Sequence, residues 1–460
     1  MFKEEANFQE GKISMHSLAN LTGLEKLKET FKGEITLPED ARYEKLREAY
    51  SKKGSPALVV QPLDNNDVSA AINFAVSNSL VISARSGGHG SAGFATNDGG
   101  IVIDLSNFNK VEVIDKSNGI VRVGAGAKWG DVAKELEPYK LAISSGDTKS
   151  VGVGGLVLGG GIGWMVRKYG FTIDSLVAAE AVLADGSIIR ISKEENEDLF
   201  WAIRGGGGNF CIVTNFEFIA RKIDKVVFGT VQYGLEDLQS VLKGWRDYIN
   251  EADENLNSTI RIMPSLFGMP AGIYILLCYA GKLNSKSKKA IEPFMKWGTV
   301  VQENVKEMNY ADVLEDSMHP PAEIKITVKN FFTKELNDDL IKELSGICGK
   351  ENSPVLQVRS INGENNRIAP DATAFAFRSS KFIIGAGIIA PASFTESQME
   401  AVLQPWKSLE KFGEGIYVNF TSEKENINEI YPAATFERLK QIKRKFDPEN
   451  IFNQNYNIKP

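Results

Sequence analysis

Three cysteines in 460 residues, Cys211, Cys278 and Cys348, lie too far apart for a disulfide framework or a zinc site, and read as small packed thiols. The three histidines, His16, His89 and His319, are as scattered, which argues against a His-based metal centre. No apolar run is long enough to span a bilayer. The start, Met1-Phe2-Lys3-Glu4-Glu5, lacks the apolar core of a secretory leader, so the expected location is cytoplasmic with no membrane partner. A formal net charge of -6 without a basic stripe argues against nucleic acid as a partner. No Walker-type phosphate loop or nucleophile elbow is present. The length exceeds what one core supports, so two domains are expected.

What the chain does have is glycine, 42 residues of it, with three dense clusters. The densest runs from Gly146 through Ser150, Val151, Gly152, Gly154 and Gly155 to Gly159, Gly160, Gly161, Ile162 and Gly163. Because each glycine loses much backbone entropy on ordering, this span is expected to be neither helix nor ordinary strand. Its use is close approach of bare backbone N–H groups to a large ligand, above all an anion such as a pyrophosphate. An upstream turn, Arg85-Ser86-Gly87-Gly88-His89-Gly90, and a downstream one, Arg204-Gly205-Gly206-Gly207-Gly208-Asn209, point to one extended cofactor lying across one domain.

In order, residues 18–31 read as a helix, 57–62 as a buried strand, 68–77 as a helix and 80–85 as a strand entering the first glycine turn. Gly88-His89-Gly90-Ser91-Ala92-Gly93 matches the dinucleotide fingerprint. A turn follows it where a helix is required, so it does not support a nicotinamide domain. Gly385-Ala386-Gly387-Ile388-Ile389-Ala390 fails likewise at Pro391. Short strands are expected at 100–105, 111–114 and 120–123, a helix at 128–136, a strand pair at 176–184 and 187–191, and a strand at 210–220. Beyond residue 223 glycine thins out. Helices at 235–252, 287–297 and within 331–348 alternate with strands at 271–279, 355–360 and 381–389, which implies an antiparallel sheet with helices on one face. Residues 416–420 read as a strand and 435–445 as a basic helix.

The glycine turns, the run Asp198-Leu199-Phe200-Trp201-Ala202-Ile203-Arg204 and the ending Phe446-Asp447-Pro448-Glu449-Asn450-Ile451-Phe452 resemble the berberine bridge enzyme-like flavoproteins, from about Pro56 to Asn457. The resemblance implies an α+β, two-domain FAD-binding fold of vanillyl-alcohol oxidase type. Residues 1–222 and 413–460 would form the FAD-binding domain and residues 223–412 an antiparallel-sheet substrate domain roofing the flavin. It implies FAD attached covalently through His89, and cofactor contacts from Arg85, Ser86, Gly87, Gly88, His89, Gly90, Gly146, Ser150, Val151, Gly152, Gly154, Gly155, Ile162, Val213, Tyr417, Asn419 and Asn455. Catalytic roles would fall to Val151, Tyr417 and Asn419. The implied activity is oxidation of a small-molecule substrate at a C–H beside an alcohol or amine, with dioxygen as acceptor; Val151 stands where the family sets oxygen access by side-chain size. A flavin-binding structural or coat protein, or a dehydrogenase with another acceptor, are the alternatives.

Three positions depart from the family. Thr148 replaces a cysteine that in many members makes a second bond to the flavin, implying single attachment and a less oxidising flavin. Cys211 replaces a usual glycine. Phe420 replaces the tyrosine that serves many plant members as base. Tyr417, three residues away on the expected strand, should point to the opposite face. Tyr431, His319, Tyr274 and Tyr279 are the other candidates for a base. Arg378 is open between holding an anionic substrate and a structural ion pair.

Overall fold

Leu58–Gln61 opens on three fully buried apolar residues, so it must lie inside a sheet. The computed structural model, which describes residues 21–266, 270–316, 323–348, 353–422 and 426–460, places it there. Glu34–Thr36 pairs antiparallel on one side and Ile101–Asp104 parallel on the other, with Ile82–Arg85 parallel beyond. The helix Asn65–Ser77 is started by Asp64, whose carboxylate accepts from the N–H groups of Asn66 and Asp67. Arg85 therefore ends a buried parallel strand, and turns rather than a helix follow it.

A second sheet is antiparallel, in the order Val111–Asp115, Ile120–Gly124, Ile212–Ile219, Leu176–Val182, Ile188–Ser192. One apolar core joins these two sheets to the C-terminal residues Leu439, Ile442, Phe452 and Ile458. Lys443, fully buried on the helix Ala433–Phe446, locks that return: its ammonium donates to Asp447 Oδ2 at 2.6 Å and to the carbonyls of Asn209 and Phe452.

The third sheet has eight strands, all antiparallel, between Val226 and Pro391. Its two faces differ because side chains alternate along a strand. On Gly272–Tyr279, Ile275, Leu277 and Tyr279 pack against the helices Leu238–Glu251 and Asp338–Ile347, while Leu276 and Cys278 face the glycine-rich half. The expected helices on one face are present. Strands Leu256–Met263 and Ile324–Thr333 and helix Glu396–Lys407 add to them. Among the described residues no helix is long and apolar enough to cross a membrane.

The structure corrects two expectations and narrows a third. Val153–Gly159, within the glycine-dense span, is an α-helix. Its glycines cost about 0.5–1 kcal/mol each relative to alanine, but they permit contacts a side chain would block: a Cβ on Gly159 would stand 2.3 Å from Asn419 Oδ1. Residues 416–420 are not a strand; Val418–Phe420 is a 3₁₀ turn. The first helix is Leu24–Thr30, and its expected start at 18–20 lies outside the described residues, as do His16 and His319.

Candidate active site

The first two glycine turns meet backbone to backbone. A Cβ on Gly87 would stand 2.3 Å from the Gly152 nitrogen, and one on Gly152 would stand 2.2 Å from the Gly87 nitrogen, so only glycine fits at either position. Ser86 pins the contact: its hydroxyl donates to the Ala125 carbonyl at 2.5 Å and accepts from the Gly154 N–H at 3.2 Å. Ala125 in turn donates its N–H to the carbonyl of Thr214, which follows buried Val213. The third turn docks on the helix Val153–Gly159, where the Gly205 and Gly207 N–H groups both donate to the Leu158 carbonyl.

Among the described residues, the N–H groups of Gly87, Gly88 and Gly90 donate to no backbone carbonyl. Three orphan donors on one turn, beside a contact that excludes side chains, are what a diphosphate needs. Arg85 lies behind them in a buried ion pair with Asp104, 2.8 Å apart. The Lys128 ammonium, whose pKa burial holds below its ordinary value, donates to the Ser86 carbonyl at 3.2 Å. His89 is half-buried and its ring stacks on Tyr50 at 5.0 Å. On the C-terminal segment, Asn455 donates to the Gly208 carbonyl, and buried Asn455 Oδ1 and Asn457 Oδ1 accept from nothing in the described residues. Orphan donors on the first turn and orphan acceptors on the C-terminal segment fit a ligand that carries both an anionic group and hydrogen-bond donors.

The C-terminal segment enters from the other side. Tyr417 is 2% exposed, and its hydroxyl accepts from the Gly161 N–H at 2.8 Å and from Asn419 Nδ2 at 3.0 Å; Asn419 also donates to the Leu156 carbonyl. Burial pushes the Tyr417 hydroxyl up to about 12, against the opposing effect of those two donors. Ile162, buried next to Gly161, and Gly146, packed on Leu156, complete this wall. Ser150 and Val151 are half-buried, and Gly155 is exposed with no atom within 4 Å of its Cβ position.

The large sheet closes over the Gly146–Val151 segment through charge. Arg359 pairs with Asp147, and Arg261 grips Glu315 with two 3.0 Å bonds; the Glu315 N–H donates to the Asp147 carbonyl and its carbonyl accepts from the Lys149 N–H. Burial drives the Asp147 carboxyl upward, but Arg359 and Arg261 together hold it below the usual carboxylate range. Thr148 bridges to Glu315 within this contact. The Arg359 guanidinium also lies 5.7 Å from the centre of the Phe420 ring.

Arg378 is settled as a structural pair: it is 1% exposed and makes two 2.8 Å bonds to Asp174. Of the candidate bases, Tyr431 is buried with its hydroxyl on the Gly205 carbonyl, and Tyr279 packs in the core behind the sheet. Tyr274 faces the glycine-rich half, with its hydroxyl donating to the Pro270 carbonyl. Cys211 and Cys278 are buried free thiols, and burial pushes Cys211 up to about 12. No metal-ligating cluster occurs among the described residues. Tyr50, Lys128 and Arg359 carry no motif that marks them; only folding brings them to the glycines.

A family model described as FAD binding domain matches residues 56–192, and one described as berberine and berberine like matches residues 416–459. An uncharacterised FAD-linked oxidoreductase of Bacillus subtilis (strain 168) is 31% identical over 95% of this chain and 98% of its own. Glucooligosaccharide oxidase of Sarocladium strictum is 29% identical over 88% of this chain and 87% of its own. The solved structure of 6-hydroxy-D-nicotine oxidase from Arthrobacter nicotinovorans superposes with a TM-score of 0.83 at 26% identity, covering 94% of this chain and 98% of that one. With its converging glycine turns and returning C-terminal segment, the chain belongs to the berberine bridge enzyme-like FAD-linked oxidoreductases, of the vanillyl-alcohol oxidase fold type.

Proposed function

We propose that this chain is an oxidase that removes hydride from a C–H beside an alcohol or amine of a small molecule, with dioxygen as acceptor and hydrogen peroxide as product. One observation carries the reading: the Gly87 and Gly152 backbones meet beside His89 in a chain related to named oxidases. When bound, FAD supplies the two-electron acceptor. His89 tethers it through an imidazole nitrogen. Thr148 makes no second tether, because a threonine hydroxyl cannot form the thioether a cysteine would. The N–H groups of Gly87, Gly88 and Gly90 hold the diphosphate, with Lys128 polarising the Ser86–Gly87 peptide from behind. Val151 sets oxygen access by its size.

Tyr417 and Asn419 act by position: they fix the Gly159–Gly161 backbone, and a hydroxyl pushed up to about 12 is a poor match for a base working near neutrality. Residues 223–412 serve as the substrate domain, a division supported by the single antiparallel sheet that takes every strand from Val226 to Pro391. Turnover of sugars, alcohols and amines with peroxide detection tests the reading. Peroxide formed in step with substrate loss supports it. A reducible flavin that turns over none of them points to a structural or coat role, and turnover only with a dye points to a dehydrogenase.

A further inference from the structure

The turn carrying His89 is held by a short segment upstream of the residues that match the FAD-binding family model. Tyr50 donates its backbone N–H to the Gly88 carbonyl at 2.9 Å, Ser51 donates its hydroxyl to the Gly90 carbonyl at 3.2 Å, and Arg85 reaches back to the Glu48 carbonyl at 3.2 Å. The segment is itself a closed turn, with the Ala49 N–H on the Lys52 carbonyl and the Gly54 N–H on the Arg47 carbonyl. From this base the Tyr50 ring lies on the His89 imidazole, with centroids 5.0 Å apart and planes 18° from parallel.

A glycine turn can fix where His89 leaves the backbone, but it cannot fix the ring plane, because the second side-chain torsion of histidine is broad. The ring plane decides reactivity, since the lone pair of an imidazole nitrogen lies in that plane and must point at the carbon it attacks. A parallel stack is suited to this: it sets the plane and covers one face while leaving the ring edge, where the nitrogens are, uncovered by Tyr50. We infer that Tyr50 is a positioning residue that presents the His89 imidazole for covalent joining to the flavin. The inference rests on His89 being the tether. Joining forms one N–C bond to the 8α carbon and breaks one methyl C–H and one imidazole N–H; the released electron pair enters the flavin and leaves it to dioxygen as hydrogen peroxide.

The test uses the full-length chain produced without flavin, then given FAD in air, with acid-stable flavin followed over time. Tyr50→Leu should slow attachment by roughly 10–100-fold, the scale of a misplaced reacting group, while reversible FAD capture before attachment changes less than about threefold. Tyr50→Phe, which keeps the ring, should attach at close to the native rate; a segment that only braced the fold would lose capture and attachment together. Tyr50→Met replaces Tyr50→Leu if the latter does not fold. Native-rate attachment in a folded ring-less variant, or a Tyr50→Phe variant as slow as Tyr50→Leu, overturns the inference. Loss of acid-stable flavin from the native chain overturns the tether reading and this inference with it, whereas a Tyr50 effect on a native chain labelled at His89 supports both.

Discussion

The rings of Tyr417 and Phe420 meet edge to face, 4.9 Å apart at 89°. In a strand they would stand on opposite faces, but the 3₁₀ turn Val418–Phe420 brings residues three apart to one side. Tyr417 is therefore neighbour to Phe420, yet its own oxygen is taken up by Gly161 and Asn419. Tyr417→Phe should leave the buried Gly161 N–H without an acceptor and cost about 1–3 kcal/mol of stability, read as a lower midpoint in denaturant. The pH profile of kcat should keep its native shape. A lost alkaline or acid limb in the variant contradicts the positioning role.

Val151 is half-buried on the core. Interiors pack densely enough that one added methylene closes a path. Val151→Ile should slow reoxidation of the photoreduced flavin at least about tenfold, equivalent to ~1.4 kcal/mol in the barrier. Stopped-flow absorbance measures this directly; equal rates in the two proteins remove Val151 from the oxygen path.

The close approach of the first two glycine turns was legible in the sequence, and the helix inside the second was not. Gly87 and Gly152 stand out because no other residue fits where two backbones touch, and the sequence shows both as members of glycine turns. The helix Val153–Gly159 does not stand out, because its glycines lie against Asn419 and Ser86, distant contacts that local propensity cannot register. Residues 416–420 alternate like a strand, but the Asn330 side chain donates to the Tyr417 and Phe420 carbonyls and accepts from the Tyr417 N–H, replacing a ladder with a turn. The strand Leu256–Met263 is hidden for a related reason: Asn257, Thr259 and Arg261 give its site-facing side a polar run.

Asp147 and Arg359 join the glycine segment to the large sheet, and the joint depends on pH. The folded pKa of Asp147 lies below its unfolded value of about 4. Its contribution is therefore present above about pH 4 and is lost as pH falls through the folded value. Asp147→Asn should cost roughly 1.5–3 kcal/mol at neutral pH, and the gap from the native chain should close as acid is added. Thermal unfolding of both proteins from pH 7 downward checks this; a gap that widens in acid contradicts it.

Arg378 and Asp174 form a buried pair across the two halves, with side chains 1% and 7% exposed. Breaking such a pair by removing one partner leaves a buried charge and costs about 3–5 kcal/mol. Asp174→Asn should show that loss in denaturant unfolding. Arg378→Met should show a similar loss, because it leaves the Asp174 carboxylate buried without its partner, and the double variant should fall closer to native than either single one. A shift in KM for a carboxylated substrate with unchanged stability is the outcome opposed to a structural pair.

The most direct test is the mass of flavin-bearing peptides from the acid-denatured native protein. The account predicts FAD on the peptide that contains His89, none on the peptide that contains Thr148, and loss of acid-stable flavin in His89→Ala. Flavin released free by acid from the native chain, or found on the Thr148 peptide, contradicts it.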